Sequence, residues 1–551
     1  MSDGCSRTLR AKLQEHDATL TLANDMLEIE CRGHVWIRLP TDLVLNAAWE
    51  APHLTLSVLA PSQLQKGRTL QEFSREQWKN RRRDKFVATI TAHTFTFQAS
   101  ENASVWADEV MHAAYPRMQP YRRILVLCNP SSGRGHARKV LNSVVVPTLK
   151  AAGCHVTVLQ TTARAHAYKE SLSMDVSQYD VLACVGGDGT IHEVVNGLAA
   201  RSDAGDVMQK LPIVPVPAGS GNGLFLSLHG VEHGFASAIA CLTAIKGSPH
   251  AHELMTITQA ASAFGTDSRW PYTIRHRSAD GTEYVQYYSF MSQAIGIMAD
   301  IDIGTEKWRF IGDARFTIGY LLGVLINKPC AVHMDVVLGP HGTTSCAEMH
   351  ERSVHASTNP SQGYPVLDPH TDVHAIQYGS VVDALPLDDT PLDPSQPATP
   401  SSTWRRVQAV HSSIYAGKVP YVARTLMAFP YARPDDHLLD VLIQDQRMPA
   451  WRKILATTHG ESGDHIFDQG MHYFKVAALR ITPQQPEKDR GRRYISVDGE
   501  QVPYTAFQAE VSPLHVLLLS LEDEDWQPPN LKSPTVHTHK DRYMTLSEAT
   551  L

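Results

Sequence analysis

The chain has 551 residues and a formal net charge of −7, enough length for two or three domains and no basic excess to suggest nucleic acid as a partner. Its eight cysteines contain no Cys-x-x-Cys pair, which argues against zinc sites and a disulfide framework. Met1-Ser2-Asp3-Gly4 lacks a signal pattern, and no apolar run approaches the ~20 residues of a membrane span, so a cytoplasmic location is expected.

Residues 15–117 read as β-rich. Leu20-Thr21-Leu22, Leu27–Cys31, Val35-Trp36-Ile37, Leu54–Val58, Phe86–Thr91 and Phe95-Thr96-Phe97 are strand-like, and Ala103–Met111 reads as a helix. Several strands closed by one Trp-containing helix are similar to a pleckstrin-homology domain. Trp78-Lys79-Asn80-Arg81-Arg82-Arg83-Asp84-Lys85 forms a basic loop. It suits an anionic lipid surface and plain solvation equally well.

Residues 118–240 read as an open α/β domain. The strand-like run Ile124–Cys128 leads into Asn129-Pro130-Ser131-Ser132-Gly133-Arg134-Gly135. Asp180–Val185 leads into Gly186-Gly187-Asp188-Gly189-Thr190-Ile191-His192-Glu193. Val214-Pro215-Val216-Pro217, which its prolines mark as irregular or an edge strand, leads into Ala218-Gly219-Ser220-Gly221-Asn222-Gly223. Three strand–glycine loop–helix units place a ligand at the carboxyl ends of parallel strands. Helix N-termini there suit phosphate. Asp188 has the wrong sign for phosphate and the right sign for a metal ion or an attacking hydroxyl, so phosphoryl transfer is indicated. A structural Gly-Asp-Gly turn is the alternative for that loop alone. Thr190 and Glu193 fit a capping box, and Ile191, Val194, Val195 and Leu198 make one apolar face. Asn196-Gly197 should end the helix early. No loop is a Walker A or a complete G-x-G-x-x-G sequence.

Residues 241–525 carry the run Ile297–Phe316, then the apolar Phe316–Ile326, which fits an acyl-chain lining or plain core. A Pro-, Ser-, Thr-, Asp- and His-rich insert at about 339–402 is expected to be disordered, most clearly at Ala384–Ser402. Thr390-Pro391 and Thr399-Pro400 are candidate phosphorylation sites. Leu438–Ile443 and His515–Ser520 are strand-like, Val497-Asp498-Gly499-Glu500 lies between them, and 526–551 reads as a disordered tail.

Taken together, the three glycine loops, Ile297–Phe316 and Val497–Glu500 resemble the lipid-kinase catalytic domain of diacylglycerol, ceramide and sphingosine kinases, most of all the sphingoid long-chain base kinases. The resemblance covers about Arg122 to Leu521, and NAD kinases share only its Gly-Gly-Asp-Gly loop. It implies an α/β nucleotide-binding domain plus a β-sandwich lipid-binding domain, ATP and Mg²⁺ as cofactors, and a peripheral visit to the membrane surface.

By that resemblance Asp188 is the catalytic residue. Asn129, Gly133, Gly135, Thr161, Gly187, Gly189, Gly219, Ser220, Arg309, Arg315, Asp498, Gly499 and Glu500 would bind ATP. Asp302, Glu306, Phe316 and Leu321 would bind lipid, and Asp188, Glu306 and Asp498 are candidate metal ligands. Asp302 decides the substrate, because it would pair with the ammonium group of a sphingoid base. Ceramide, with an amide, and diacylglycerol, with no nitrogen, would leave that carboxylate unpaired. A ceramide or diacylglycerol kinase, and a membrane-binding adaptor with an inactive kinase-like domain, are the rival readings.

Overall fold

The computed structural model describes residues 7–61, 90–231, 235–265, 270–311, 314–326, 329–356, 372–398, 400–484 and 494–521. The basic loop at 78–85, the tail from 526, and Gly312, Asp313 and Thr399 lie outside the described residues. The chain divides into two compact units. The first holds the described residues through His252, with 372–374 and 513–521; the second holds 253–356 and 375–512.

The first unit begins with β1 (Arg7–Leu13), β2 (His16–Ala23), β3 (Met26–Cys31), β4 (His34–Pro40), β5 (Val44–Glu50), β6 (His53–Pro61) and β7 (Ile90–Ala99). They form one sheet in the order β4-β3-β2-β1-β7-β6-β5. Leu27 and Ile29, Ile37 and Leu39, and Leu54 and Leu56 are buried at alternate positions, the period-two pattern of a sheet with one covered face. Helix α1 (Ala103–Ala114) follows and buries Trp106, Ala107 and Val110.

The same unit continues as a parallel sheet of β8 (Arg123–Cys128), β9 (His155–Gln160), β10 (Val181–Gly186) and β11 (Ile213–Pro217), ordered β11-β10-β8-β9. Every residue of β10 is buried, as expected for a parallel strand covered on both faces. Helix α2 (His166–Ser173) follows β9, α3 (Asp188–Ala199) follows β10, and α4 (Gly223–His229) and α5 (Ser237–Lys246) follow β11. The N-terminal sheet is tied to α5, because Lys246 Nζ donates to the carbonyls of Ala114 (2.9 Å) and Thr41 (3.2 Å). Tyr115 Oη also donates to Leu45 O at 2.6 Å.

Two local expectations are corrected here. Despite its prolines β11 pairs with β10 along its whole length, from Ile213 to Pro217. Ala218 N–H donates to Gly186 O, so even-numbered N–H groups face β10 and the missing N–H groups of Pro215 and Pro217 face the other side. There a further strand meets β11 only at Ile213, so no ladder bond is lost. Helix α3 also runs past Asn196-Gly197 to Ala199. A Cβ on Gly197 would stand 2.5 Å from Tyr168 O, so this glycine admits α2 rather than ending α3.

In the second unit β12 (Ser248–Ala260) pairs antiparallel with β14 (Glu283–Ser289), which pairs with β13 (Ile274–Arg277). A six-stranded sheet contains β15 (Ser292–Gly296), β18 (His411–Gly417), β19 (Leu439–Asp445), β20 (Met471–Val476), β22 (Ile495–Val497) and β23 (Glu500–Val502), ordered β20-β19-β18-β15-β22-β23. A third group joins β16 (Val332–Val337), β17 (Arg405–Arg406), β21 (Ala478–Pro483) and the first half of β24 (Phe507–Ser520). Its helices are α6 (Ile297–Asp302), α7 (Ala314–Ile326), α8 (Cys346–Ala356) and α9 (Ala450–Thr458).

Disorder across 339–402 is corrected for the described part of that insert. Arg480 donates to Ser380 O (2.6 Å) and Asp383 O (2.8 Å), and Leu392 is buried and bridges to Val407. Glu510 accepts the N–H groups of Gln377 and Tyr378. Composition alone misses this, because polar segments stay ordered when a neighbouring strand satisfies their backbone.

Candidate active site

In the first unit the three loops at the carboxyl ends of β8, β10 and β11 touch one another. Asn129 N–H donates to Val185 O at 3.0 Å, and its Oδ1 accepts Ser131 N–H at 3.1 Å. Gly133 has φ +56°, and a Cβ there would lie 2.3 Å from Ala218 O. A Cβ on Gly219 would lie 2.6 Å from the Cα of Gly187. The glycines therefore permit loop-on-loop packing as well as positive φ. Thr161, buried just after β9, donates its N–H to Cys128 O at 2.8 Å. Gly135 has φ +84°, and Ser220 is exposed beside Gly219. Asn129, Gly133, Gly187, Asp188 and Gly219 are thus brought together as their order in the sequence implies.

Asp188 is the first residue of α3 and is partly exposed. Its Oδ2 accepts Gly223 N–H at 2.9 Å and its Oδ1 accepts Leu224 N–H at 3.2 Å. The start of α4 therefore fixes the plane of this carboxylate. Asn222, missing from the expected site, sets that start. It is buried with φ +53°, its Oδ1 accepts Gly219 N–H at 3.0 Å, and its Nδ2 donates to Gly219 O at 2.9 Å. Asparagine tolerates the left-handed region better than most side chains, which is the signal available in Gly-Ser-Gly-Asn. The capping box is corrected: Glu193 instead accepts the N–H groups of Ala165 (3.0 Å) and Ala167 (3.1 Å) at the start of α2.

In the second unit the expected ATP ligand Asp498 is otherwise engaged. It is 2% exposed. Its Oδ1 accepts from Ser289 Oγ (2.6 Å), Met291 N–H (3.0 Å) and Ser292 N–H (2.9 Å), and its Oδ2 from Phe290 N–H (3.1 Å). Four donors make it an anchor for the β14–β15 turn rather than an open ligand. Asp498 (φ +49°) and Gly499 (φ +83°) form the turn between β22 and β23, where two positive φ values favour Asp-Gly. Glu500 opens β23, half-buried.

Asp302 ends α6, and its Oδ2 accepts a short hydrogen bond from the buried Ser496 Oγ. A carboxylate at a helix C-terminus opposes the dipole, so a cation is welcome beside it. Arg315 is 4% exposed, donates to Thr305 Oγ1 at 3.4 Å, and lies over the Phe316 ring. Glu306 is exposed at the start of a short turn, Glu306–Ile311, that also contains Arg309. Leu321, at 36% exposure, faces outward with Ile318, Leu322, Leu325 and Ile326. Gly319 and Gly323 turn the other face of α7 toward Thr305 and Ile297.

Among the described residues no three His, Cys, Asp or Glu side chains gather as a metal cage. Magnesium needs none, since it is commonly held by one or two carboxylates plus substrate phosphates. Asp188 fits that role. Asp498, 2% exposed and ringed by four donors, fits it poorly.

Residues 123–257 match the diacylglycerol kinase catalytic domain family. Sphingoid long chain base kinase 4 of Schizosaccharomyces pombe is 30% identical over 75% of this chain and 78% of its own length. The chain belongs to the sphingoid long-chain base kinase family. Sphingoid long chain base kinase 5 of Saccharomyces cerevisiae is 28% identical over 74% of the chain and 60% of its own length. Sphingosine kinase 1 of Arabidopsis thaliana is 28% identical over 74% of both. Within this kinase the catalytic-domain match takes in all three glycine loops and Asp188 but ends before Asp302, Arg315 and Asp498.

Proposed function

We propose that this kinase transfers the γ-phosphate of ATP, with Mg²⁺, to the primary hydroxyl of a sphingoid long-chain base, giving the 1-phosphate. The observation that carries the reading is the Asp188 carboxylate, clasped by two α4 N–H groups beside three interlocking glycine loops. ATP supplies the phosphoryl group, and Asp188 would help hold Mg²⁺, which would offset the phosphate charge. Phosphoryl transfer is mainly positioning and charge neutralisation. Asp188 aligns the lipid hydroxyl and takes its proton, early or late, as the new P–O bond forms and ADP leaves. Asn129, Gly133, Gly135, Thr161, Gly187, Gly189, Gly219 and Ser220 seat the nucleotide, and Arg309 and Arg315 add phosphate charge complementarity.

Asp302 selects the lipid by pairing with its ammonium group. A neutral lipid leaves the carboxylate without that partner, which disfavours ceramide and diacylglycerol. Among the described residues no helix is long and apolar enough to cross a membrane. The enzyme instead meets its lipid as a peripheral, cytoplasmic protein. Leu325 (73% exposed), Ile326 (62%) and Trp451 (57%) support this. They lie on α7 and α9, which are joined where Tyr320 Oη donates to Lys453 O at 3.1 Å. Exposed apolar side chains on two joined helices suit a bilayer interface. The N-terminal seven-stranded sheet closed by α1 is read as a pleckstrin-homology-like accessory to that docking.

The test is transfer from labelled ATP to sphingosine, dihydrosphingosine, phytosphingosine, ceramide and diacylglycerol in parallel micelles. Transfer confined to the free-amine lipids upholds the reading. Transfer confined to ceramide or diacylglycerol overturns it.

A further inference from the structure

Helix α3 carries Asp188 as its first residue and Glu193 in its second turn. Glu193 reaches across to the loop between β9 and α2. Its Oε1 accepts Ala165 N–H at 3.0 Å and its Oε2 accepts Ala167 N–H at 3.1 Å. These bonds hold a residue in an unusual conformation. Ala165 has φ +59° and is 6% exposed. The left-handed region crowds the Cβ of any residue but glycine, and alanine has no polar side chain to offset that. Such strain persists only where the surroundings over-determine it, and it gathers at functional sites. The other end of the loop is also fixed. Thr161 N–H donates to Cys128 O at 2.8 Å, at the end of the neighbouring strand β8, and Thr162 N–H donates to His166 Nδ1 at 3.0 Å. Ala165 and Ala167 are buried, whereas Thr162, Ala163 and Arg164 are exposed at the carboxyl end of β9. Open parallel sheets bind their ligands at that end.

We propose that Glu193 is a positioning residue for the nucleotide: it pins the left-handed turn at Ala165 and so presents the Thr161–Arg164 loop to ATP in register with Asp188. The inference rests on the reading of Thr161 as part of the ATP seat. Helix α2 has no side-chain cap from its own N-cap residue. Its cap comes instead from α3, 28 positions beyond Ala165 and 26 beyond Ala167. One helix therefore fixes both the catalytic carboxylate and the loop at the edge of the sheet. Gly197 lets α2 lie close against the same helix, next to Tyr168 O. The negative charge of Glu193 also suits the positive end of α2. With both oxygens on loop N–H groups, Glu193 acts on the nucleotide through the loop.

The test measures binding of labelled ATP with Mg²⁺ to the full chain by equilibrium dialysis without lipid, alongside steady-state kinetics on sphingosine in micelles. Glu193→Ala should raise Kd and KM for ATP by about tenfold, the scale of one hydrogen bond to a charged group. Its kcat and its KM for sphingosine should stay within about twofold of wild type, the pattern of lost ground-state binding. Adding Ala165→Gly to Glu193→Ala should recover about threefold or more, because glycine enters the left-handed region without the Cβ penalty. Glu193→Gln, which keeps one acceptor oxygen, should fall between, and it supplies the reading if Glu193→Ala does not fold. An unchanged Kd for ATP in the folded variants, a fall in kcat alone, or no recovery with glycine overturns the positioning role. Wild type that binds ATP but phosphorylates no free-amine base overturns the sphingoid-base reading, and the Kd values still decide the role of Glu193. Wild type that binds no ATP overturns both.

Discussion

Gly223 N–H stands 2.9 Å from Asp188 Oδ2, so the catalytic candidate is oriented by a helix that follows a different strand. Leu224 N–H holds the other oxygen, and Asn222 holds the loop that presents both donors. A carboxylate held in this way would meet a reacting hydroxyl already aligned, which lowers the cost of positioning.

Asp188→Asn should lower kcat by at least about a hundredfold, the scale for removing one preorganised charged group. Near-ultraviolet circular dichroism should show an intact fold. Full turnover in the folded variant would remove Asp188 from the mechanism.

Asp498→Ala should act on stability before chemistry. It leaves Ser289 Oγ and three backbone N–H groups without their acceptor, and each buried orphan costs about 1–3 kcal/mol. A clear drop in melting temperature is expected. Unchanged melting with lost nucleotide binding would restore Asp498 as an ATP ligand.

Glu510 gives the fold a pH dependence. Burial pushes its carboxyl up to about 7, against the two N–H groups it accepts from Gln377 and Tyr378. The folded value lies above the ordinary 4.5, so the folded state holds the extra proton between those values. This contribution is fully present below about pH 4.5 and is lost as pH rises through about 7. Denaturant midpoints for wild type and Glu510→Gln should differ in slope across that window. Parallel curves would contradict the assignment.

Leu325→Asp with Trp451→Asp should cut sedimentation with lipid vesicles by about tenfold or more, since each charge opposes burial in the interface. Activity on micellar substrate should persist. Equal vesicle binding would send membrane contact elsewhere.

The glycine loops were legible because their chemistry is local. A run such as Val185-Gly186-Gly187-Asp188-Gly189 announces its turn and its helix within nine residues of itself. The anchoring role of Asp498 is not legible in sequence because it is non-local: Ser292 lies 206 positions away in sequence, and only the fold reveals it. The Asp-Gly pair did carry a hairpin signal that the family match overshadowed. Ser496 and Asn222 were missed for related reasons, since a lone Ser or Asn next to a stronger motif gives no periodic or spacing signal. The order of 372–398 depended on Arg480 and Glu510, which reach it from β21 and β24. Which face of the run Phe316–Ile326 is covered was also illegible, because an apolar run has no polar side to mark it.

The most direct test of the central claim is competition between sphingosine and ceramide for labelled phosphate in one mixed micelle, with wild type and Asp302→Asn side by side. The account predicts that wild type favours sphingosine by about a hundredfold or more, because a charge-assisted hydrogen bond contributes roughly 1.5–3 kcal/mol and a neutral lipid does not supply it. Asp302→Asn should lose most of that preference through a raised KM for sphingosine. Comparable wild-type transfer to ceramide, or an unchanged preference in the variant, would contradict it.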